Sequence, residues 1–171
     1  MWRADLWLAL IRVVVGVVVL RNAWPKFAAG WLGGVVPYLT VSAPYASDYQ
    51  RRLAAHVGNT PFGWHRDFLQ QSVLPHAGTA ATVHAWAELL VGIGLVLGLL
   101  TGLAALVGLV LTLNVSLGTY VPGAGPPAVH WLLPAGMLAF LGSRAGRVWG
   151  LDAVIRRKAG TALRVVLAPL T

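Results

Sequence analysis

The sequence predicts an all-α integral membrane protein, a four-helix bundle accompanied by interfacial amphipathic helices. Three observations predict this class. Only 11% of the 171 residues are charged, whereas a soluble domain averages about 25%. The mean hydropathy is +0.71. The apolar runs are also continuous, whereas the strands of a membrane barrel alternate between apolar and polar residues.

The charge pattern fits a protein that contacts lipid. The chain carries a formal net charge of +8, and its basic residues lie at the edges of the apolar runs. There they act as orientation signals and contact lipid headgroups. We therefore expect membrane lipids and not nucleic acid as partners.

The cysteine count limits the chemistry. The chain has no cysteine, which excludes disulfides, thiolate metal sites and iron–sulfur clusters bound through Cys. We predict no metal or haem site. Any redox role must then use a bound cofactor or belong to a partner.

The first predicted span covers residues 2–24. It is apolar except for Arg12, and Trp2, Trp7 and Trp24 lie towards its ends as interfacial anchors. Pro25 marks the exit from the helix.

A long segment of mixed polarity follows, at about 27–79. Unstructured connections beyond about 12–15 residues are uncommon in compact domains, so we expect helices within it. Residues 47–57 place apolar side chains on one face, and residues 59–61, Asn-Thr-Pro, are typical of the start of a helix that continues over 62–74. Both segments are predicted to be short amphipathic helices at the membrane surface.

The remaining apolar runs predict three further spans. The second covers about 80–100 and is joined by a tight turn at 101–102 to the third, at about 103–120. A Gly/Pro-rich loop at 122–127 leads to the fourth, at about 128–143. This last run is short and contains a proline, so a re-entrant or buried segment is the alternative.

The chain is thus divided into a membrane domain at 1–150 and a basic amphipathic helix at 151–171. The basic residues after the fourth span place this end in the cytoplasm. Four spans then put both termini inside a multi-pass plasma membrane protein, with 27–79 outside. The basic residues behind this prediction are Arg144, Arg147, Arg156, Arg157, Lys158 and Arg164.

Two charges lie deep in apolar runs, Arg12 and Glu88. A charge at the bilayer centre costs about 2.5–3.5 kcal/mol on insertion scales, so it is usually paired or functional. One interpretation is a buried ion pair that fixes helix register. The other is a proton or ligand site that includes His84, one turn from Glu88 on the same face. On this second hypothesis Arg12, His84 and Glu88 line a polar pocket and are the candidate catalytic residues.

Other polar residues are predicted at the outer half of the bundle. Asn114 lies in the third span, and His130 and Trp131 lie at the entry to the fourth; these three are the candidate cofactor-binding residues. An intramembrane asparagine is more often an interhelical hydrogen bond than a ligand. A histidine at the interface need not bind anything either.

Several short motifs resemble those of the DoxX/DoxD family of small four-helix membrane proteins. They are Arg12-x-x-x-Gly16, Lys26, Glu88-Leu-Leu-Val-Gly92, Leu97-Gly-Leu-Leu-Thr101 and Gly146-Arg-Val-Trp-Gly-Leu-Asp152. Residues 62–69 and 73–75 are more similar to the DoxD branch, the small membrane subunit of thiosulfate:quinone oxidoreductase.

The DoxD resemblance implies thiosulfate oxidation to tetrathionate, with electrons passed to quinone and a second subunit sharing the reaction. A quinone is therefore the expected cofactor, and a second subunit or a homo-oligomer the expected assembly. The alternative is a non-catalytic membrane subunit of the DoxX type that scaffolds or docks a partner complex. A small transporter or channel is the third hypothesis, which requires a water-filled path past the intramembrane charges.

Overall fold

A computed structural model describes residues 2–32, 36–119, 128–143 and 145–158. The described residues are mainly helical and form an all-α membrane bundle, as predicted. Within the described residues, three helical segments are long and apolar enough to cross a membrane: Asp5–Lys26, Gly63–Leu97 and Thr101–Gly118. They correspond to helix α1 (Trp2–Ala23), helix α4 (Ala77–Leu97) and helix α5 (Thr101–Gly118).

Helix α6 (Ala128–Ser143) is the fourth member of the bundle and packs along α5. It is shorter, with 16 residues, and contains Pro134. Its limits are those predicted for the fourth span, and the first three spans correspond to α1, α4 and α5. The loop predicted at 122–127 lies outside the described residues.

Small residues let α1 and α4 pack closely in antiparallel register. A Cβ atom at Gly16 would lie 2.8 Å from Val96, and one at Gly92 would lie 2.7 Å from the side chain of Leu20. Such close backbone approach is the usual role of small residues between membrane helices. This register decides which polar residues of the two helices meet.

The connection between α4 and α5 is a tight turn at residues 98–100, three residues earlier than predicted. Gly98 and Leu100 both have positive φ values, 62° and 48°. Thr101, assigned to the turn from the sequence, is instead the first residue of α5. The left-handed conformation at Gly98 ends α4, as glycine commonly does.

A β-hairpin between α1 and the next helix was not predicted. A short 3₁₀ turn (Trp24–Lys26) leads into strand β1 (Phe27–Leu32), which pairs antiparallel with strand β2 (Val36–Val41). The ring of Phe27 packs edge-on against Trp86 of α4, with centroids 5.0 Å apart, which holds the hairpin against the bundle.

The rest of the 27–79 segment is helical, as expected. Helix α2 (Ala43–Asn59) is followed by helix α3 (Gly63–Phe68), a π-helical turn (Leu69–Val73) and a 3₁₀ turn (Leu74–His76). The second of the two predicted helices is α3, which starts at Gly63. Pro61 is therefore not its first residue, contrary to the prediction. A small apolar core holds these pieces to the start of α4; its buried members are Leu53, Leu69 and Ala77.

The chain after α6 begins with a 3₁₀ turn (Ala145–Arg147) and continues into helix α7 (Leu151–Lys158). The basic amphipathic helix predicted at 151–171 is therefore described over its first eight residues. Residues 159–171 lie outside the described ranges.

Candidate functional site

An ion pair stands at one end of the bundle, between α1 and α4. The Lys26 Nζ donates to Glu88 Oε2, and the two side chains are only 16% and 19% exposed. Lys26 ends the 3₁₀ turn after α1, and the antiparallel register brings that turn level with Glu88. Glu88 thus has a cationic partner, but that partner is Lys26, which lies beyond the end of the first helix.

Helix α2 lies across this ion pair and adds aromatic and basic groups. Lys26 Nζ lies 5.1 Å from the ring centroid of Tyr45, and the Arg52 guanidinium lies 6.0 Å from the same ring. The ring of Tyr49 lies 5.5 Å from that of His84 in α4. Burial, and then the nearby Glu88 carboxylate, raise the pKa of Tyr45 well above its usual value, so its phenol stays protonated.

Two cavities that share part of their lining lie among these helices, and we call them the outer and inner chambers of one cleft. The outer chamber has a volume of about 440 Å³, and most of the residues that line it have polar side chains. The inner chamber, about 210 Å³, lies between α1, α4, α5 and α6 and is lined mainly by apolar side chains, including Val91 and Met137. The residues common to both linings are Asn22, His84, Glu88, Val115 and His130.

Histidines are concentrated around this cleft. His56, His84 and His130 line the outer chamber, and His65 lies behind its wall. The pKa of His56 is lowered, first by burial and then by Arg52, His65 and His130. Within the described residues no three His, Asp or Glu side chains are placed so that they could hold one metal ion.

His130 has an unused hydrogen-bonding atom. Its backbone carbonyl accepts a hydrogen bond from the Ser116 hydroxyl, which ties α6 to α5 beside the chambers. Its Nδ1 is buried and has no partner among the described residues. Buried polar atoms are almost always paired, so this nitrogen is an exception among them.

A series of hydrogen bonds links the segment before α4 to α5. Thr60 Oγ1 lies 3.1 Å from His65 Nδ1, and His65 Nε2 lies 3.4 Å from the Asn114 side-chain nitrogen. Thr60 and His65 are 0% and 2% exposed. Asn114 itself lines the outer chamber, so this series connects the segment before α4 to the cleft.

Arg12 lies at the opposite end of the bundle, which corrects the expectation that it meets Glu88. Its guanidinium is fully buried and donates to the carbonyl oxygens of Ala145, at 2.7 Å, and Trp149, at 3.0 Å. It also lies beside Gly98 at the end of α4. Gly98 is ten residues from Glu88, or about 15 Å along the helix.

Asp152 completes the joint at the Arg12 end. Its carboxylate accepts hydrogen bonds from the backbone N–H groups of Leu100, at 2.7 Å, and Thr101, at 2.9 Å, and so caps the start of α5. Its own N–H donates to the Gly98 carbonyl, at 2.9 Å. Three of the motifs quoted above, around residues 12, 98 and 152, therefore form one structural joint.

The structure brings four of the six predicted site residues to the cleft and leaves two away from it. His84, Glu88, Asn114 and His130 line the chambers; Arg12 does not. Trp131 is 46% exposed on α6 and belongs to neither lining.

The sequence also held a signal for residues that we did not predict. Four positions of α2 form one helical stripe spaced by four, three and four residues, and all four reach the outer chamber: Tyr45, Tyr49, Arg52 and His56. The predicted helix in this segment rests on its apolar face alone. Lys26 is the partner of Glu88, although its place at the end of an apolar run is also typical of a cation that contacts lipid headgroups.

The family model described as DoxX matches residues 7–121. This range includes the cleft-lining residues of α1, α2, α4 and α5, but not those of α6. No solved structure matches the chain.

Proposed function

We propose, from the premise that this chain belongs to the DoxX family of membrane proteins, that it is the membrane subunit of a quinone-linked oxidoreductase. On this proposal the two-chambered cleft holds a quinone. The observation that carries it is the arrangement of the cleft. A chamber lined by polar residues contains the Lys26–Glu88 pair and shares five lining residues with an apolar chamber between the spans. One of the shared residues is His130, whose Nδ1 has no hydrogen-bond partner among the described residues.

The two linings suit the two parts of a quinone. The carbonyl oxygens of the head group need hydrogen-bond donors, and Lys26, Tyr45 and His130 carry such groups. The first part of an isoprenoid tail needs apolar walls, which the inner chamber has. Ligand sites in proteins typically combine mostly apolar walls with a few placed polar groups.

Reduction of a quinone to a quinol takes up two electrons and two protons. Glu88 and His84 are groups that exchange protons, and both line the two chambers. The electrons must come from a reductant. If that is thiosulfate, two thiosulfate ions lose one electron each and join through a new S–S bond to give tetrathionate.

The charge of the outer chamber supports an anionic reductant. Two cations, Lys26 and Arg52, line it, and Lys26 pairs with Glu88. Arg52 pairs with Asp48, at 2.7 Å, and Asp48 also pairs with Arg51. Three cations thus face two carboxylates, which leaves one positive charge at the chamber. Such a cleft raises the local concentration of anions. The DoxD-like reaction and a second subunit that shares it are parts of this proposal.

The second candidate is a non-catalytic subunit that scaffolds a partner complex. The Lys26–Glu88 pair favours it, because each group already satisfies the other's charge without a ligand. On this alternative the ion pair only joins α4 to the segment after α1.

The two candidates differ in what Glu88→Gln does. We would reconstitute the full chain in lipid nanodiscs and measure binding of a short-chain ubiquinone and thiosulfate-dependent quinone reduction. The proposal expects saturable binding by the native chain and at least a tenfold loss of quinone reduction in the variant, with little change in thermal stability.

Arg51→Gln is the matched control, because Arg51 is highly exposed and pairs with Asp48 on the outside of α2. It should leave binding and quinone reduction unchanged. Absence of saturable quinone binding by the native chain would overturn the proposal and leave the scaffold.

A further inference from the structure

We infer that His65 is a positioning residue. By keeping its proton on Nδ1, it holds the Asn114 carboxamide so that the amide presents its oxygen, a hydrogen-bond acceptor, to the outer chamber. Where the inference concerns quinol binding it rests on the proposed function; the hydrogen-bond arrangement itself does not.

The contact between Asn114 and His65 joins two nitrogen atoms. The nitrogen of the Asn114 amide lies 3.4 Å from His65 Nε2. An amide nitrogen only donates hydrogen bonds, so Nε2 must be the acceptor and carry no proton. A neutral imidazole with a bare Nε2 has its proton on Nδ1.

The Thr60 hydroxyl oxygen can accept a hydrogen bond from the Nδ1 proton of His65. His65 Nδ1 lies 3.1 Å from Thr60 Oγ1, within hydrogen-bond distance, and both residues are almost fully buried. Thr60 is held in place in turn, because the Arg66 guanidinium donates to its carbonyl oxygen at 2.9 Å. With the amide in this orientation, the opposite tautomer would leave two donors facing each other at Asn114, which costs free energy.

The other end of the Asn114 amide is its oxygen, Oδ1. Asn114 lines the outer chamber, and its Oδ1 makes no hydrogen bond within the part of the chain that the structure describes. With the nitrogen engaged by His65, this oxygen is the end that a ligand meets. It accepts a hydrogen bond from a hydroxyl or N–H group and repels a carbonyl oxygen.

For a quinone site the consequence is a preference between redox forms. A quinol has hydroxyl donors and a quinone has only carbonyl acceptors, so the fixed amide favours the quinol. Loss of the hydrogen bond between His65 and Asn114 lets the amide rotate and present its nitrogen to a quinone carbonyl. The positioning role therefore predicts a changed ratio of the two affinities, whereas a merely structural role would change both together.

The tautomer is tested without any ligand. ¹⁵N NMR of histidine-labelled native protein in nanodiscs, with His65→Gln used to assign the signal, should show a protonated Nδ1 and a bare Nε2. Thr60→Val removes the acceptor for the Nδ1 proton and should shift the population towards protonated Nε2. A native His65 with its proton on Nε2 would overturn the inference.

The affinity ratio tests the consequence. We would measure Kd for reduced and oxidised short-chain ubiquinone in the native chain, His65→Asn and His65→Gln. A glutamine can replace the Nε2 acceptor, and its ratio should stay within about twofold of native. The shorter asparagine should lower the preference for the quinol by about three- to tenfold, the usual worth of one hydrogen bond.

The two failures are distinguishable. If the native chain binds neither form, the proposed function fails, and the NMR result alone decides the positioning of Asn114. If both forms bind and His65→Asn weakens them equally, the positioning role is wrong although the quinone site stands.

Discussion

The two ends of the bundle both bury charged groups, and they use them in opposite ways. At one end the guanidinium of Arg12 donates to backbone carbonyls and Asp152 accepts from the N–H groups of α5. At the other end Lys26 and Glu88 pair at the wall of an open chamber. A charge whose hydrogen bonds all go to the backbone joins segments, whereas a charge beside a cavity can also meet a ligand.

This difference changes the meaning of the shared motifs. The glycines near Arg12 bring segments into contact: a Cβ atom at Gly98 would lie 2.6 Å from Gly150 and 2.7 Å from the Arg12 guanidinium. Arg12 thus holds the segment after α6 against the turn between α4 and α5. We therefore assign Arg12 a structural role, and Glu88 the role at the proposed site.

The largest effect is expected from Arg12→Met. The change removes the donors and leaves buried carbonyl oxygens unpaired, at about 1–3 kcal/mol for each. We expect the free energy of unfolding to fall by about 3 kcal/mol or more, measured as thermal denaturation of the purified protein in detergent.

Arg21→Met is the control for this change, because Arg21 is an exposed arginine of the same helix. It should shift the melting temperature little, as should Glu88→Gln at the other end. A Glu88→Gln variant as unstable as Arg12→Met would remove the distinction between the two ends.

The next effect is expected from Gly98→Ala. Gly98 has φ of 62°, where a side chain is strained, and an added Cβ would press on the backbone of Gly150. We expect a loss of about 1–3 kcal/mol in the same thermal assay. Gly136→Ala, in α6 with nothing within 4 Å of the added atom, is the matched control and should be neutral or stabilising. Equal effects of the two substitutions would mean that the Arg12 joint is not tightly packed.

Continuous apolar runs were sufficient to predict the bundle. The backbone N–H and C=O groups of a membrane span must be hydrogen-bonded within the protein, and a helix satisfies them all within one segment. Pairing across the bundle was not predictable in the same way. Counting from helix ends put Arg12 and Glu88 at similar depth. The actual register follows from how Gly16 fits Val96 and how Leu20 fits Gly92, which is a matter of side-chain shape.

The hairpin and the wall of the outer chamber were missed for different reasons. The hairpin had a signal, since two runs rich in aromatic and β-branched residues flank Gly33-Gly34 in the sequence. Helix α2 was predicted, but its polar stripe gains meaning only when the helix is placed over Lys26 and Glu88. His65 gave no local signal, because its role depends on Asn114, 49 residues away.

The smallest effect concerns pH at the cleft end. Burial and nearby cations lower the pKa of His56 in the folded protein relative to the unfolded chain. Between the two values the unfolded chain binds more protons, so stability rises with pH in that window. The contribution is fully present above the unfolded value of about 6.5 and is lost as pH falls through the folded pKa.

Thermal scans of the native chain between pH 7.5 and 5 should therefore show a falling melting temperature, and His56→Gln should reduce the fall by about 1–2 °C. His76→Gln is the control, because His76 is exposed and lies away from the chamber lining. Arg12→Lys, at the other end of the bundle, should lower the melting temperature at every pH and keep the native pH dependence. That result would separate a structural charge from a titrating group at the cleft. The ring of His56 packs against Gly118 of α5. If His56→Gln leaves the fall unchanged, another group at the cleft is responsible, and the burial of His56 is not its cause.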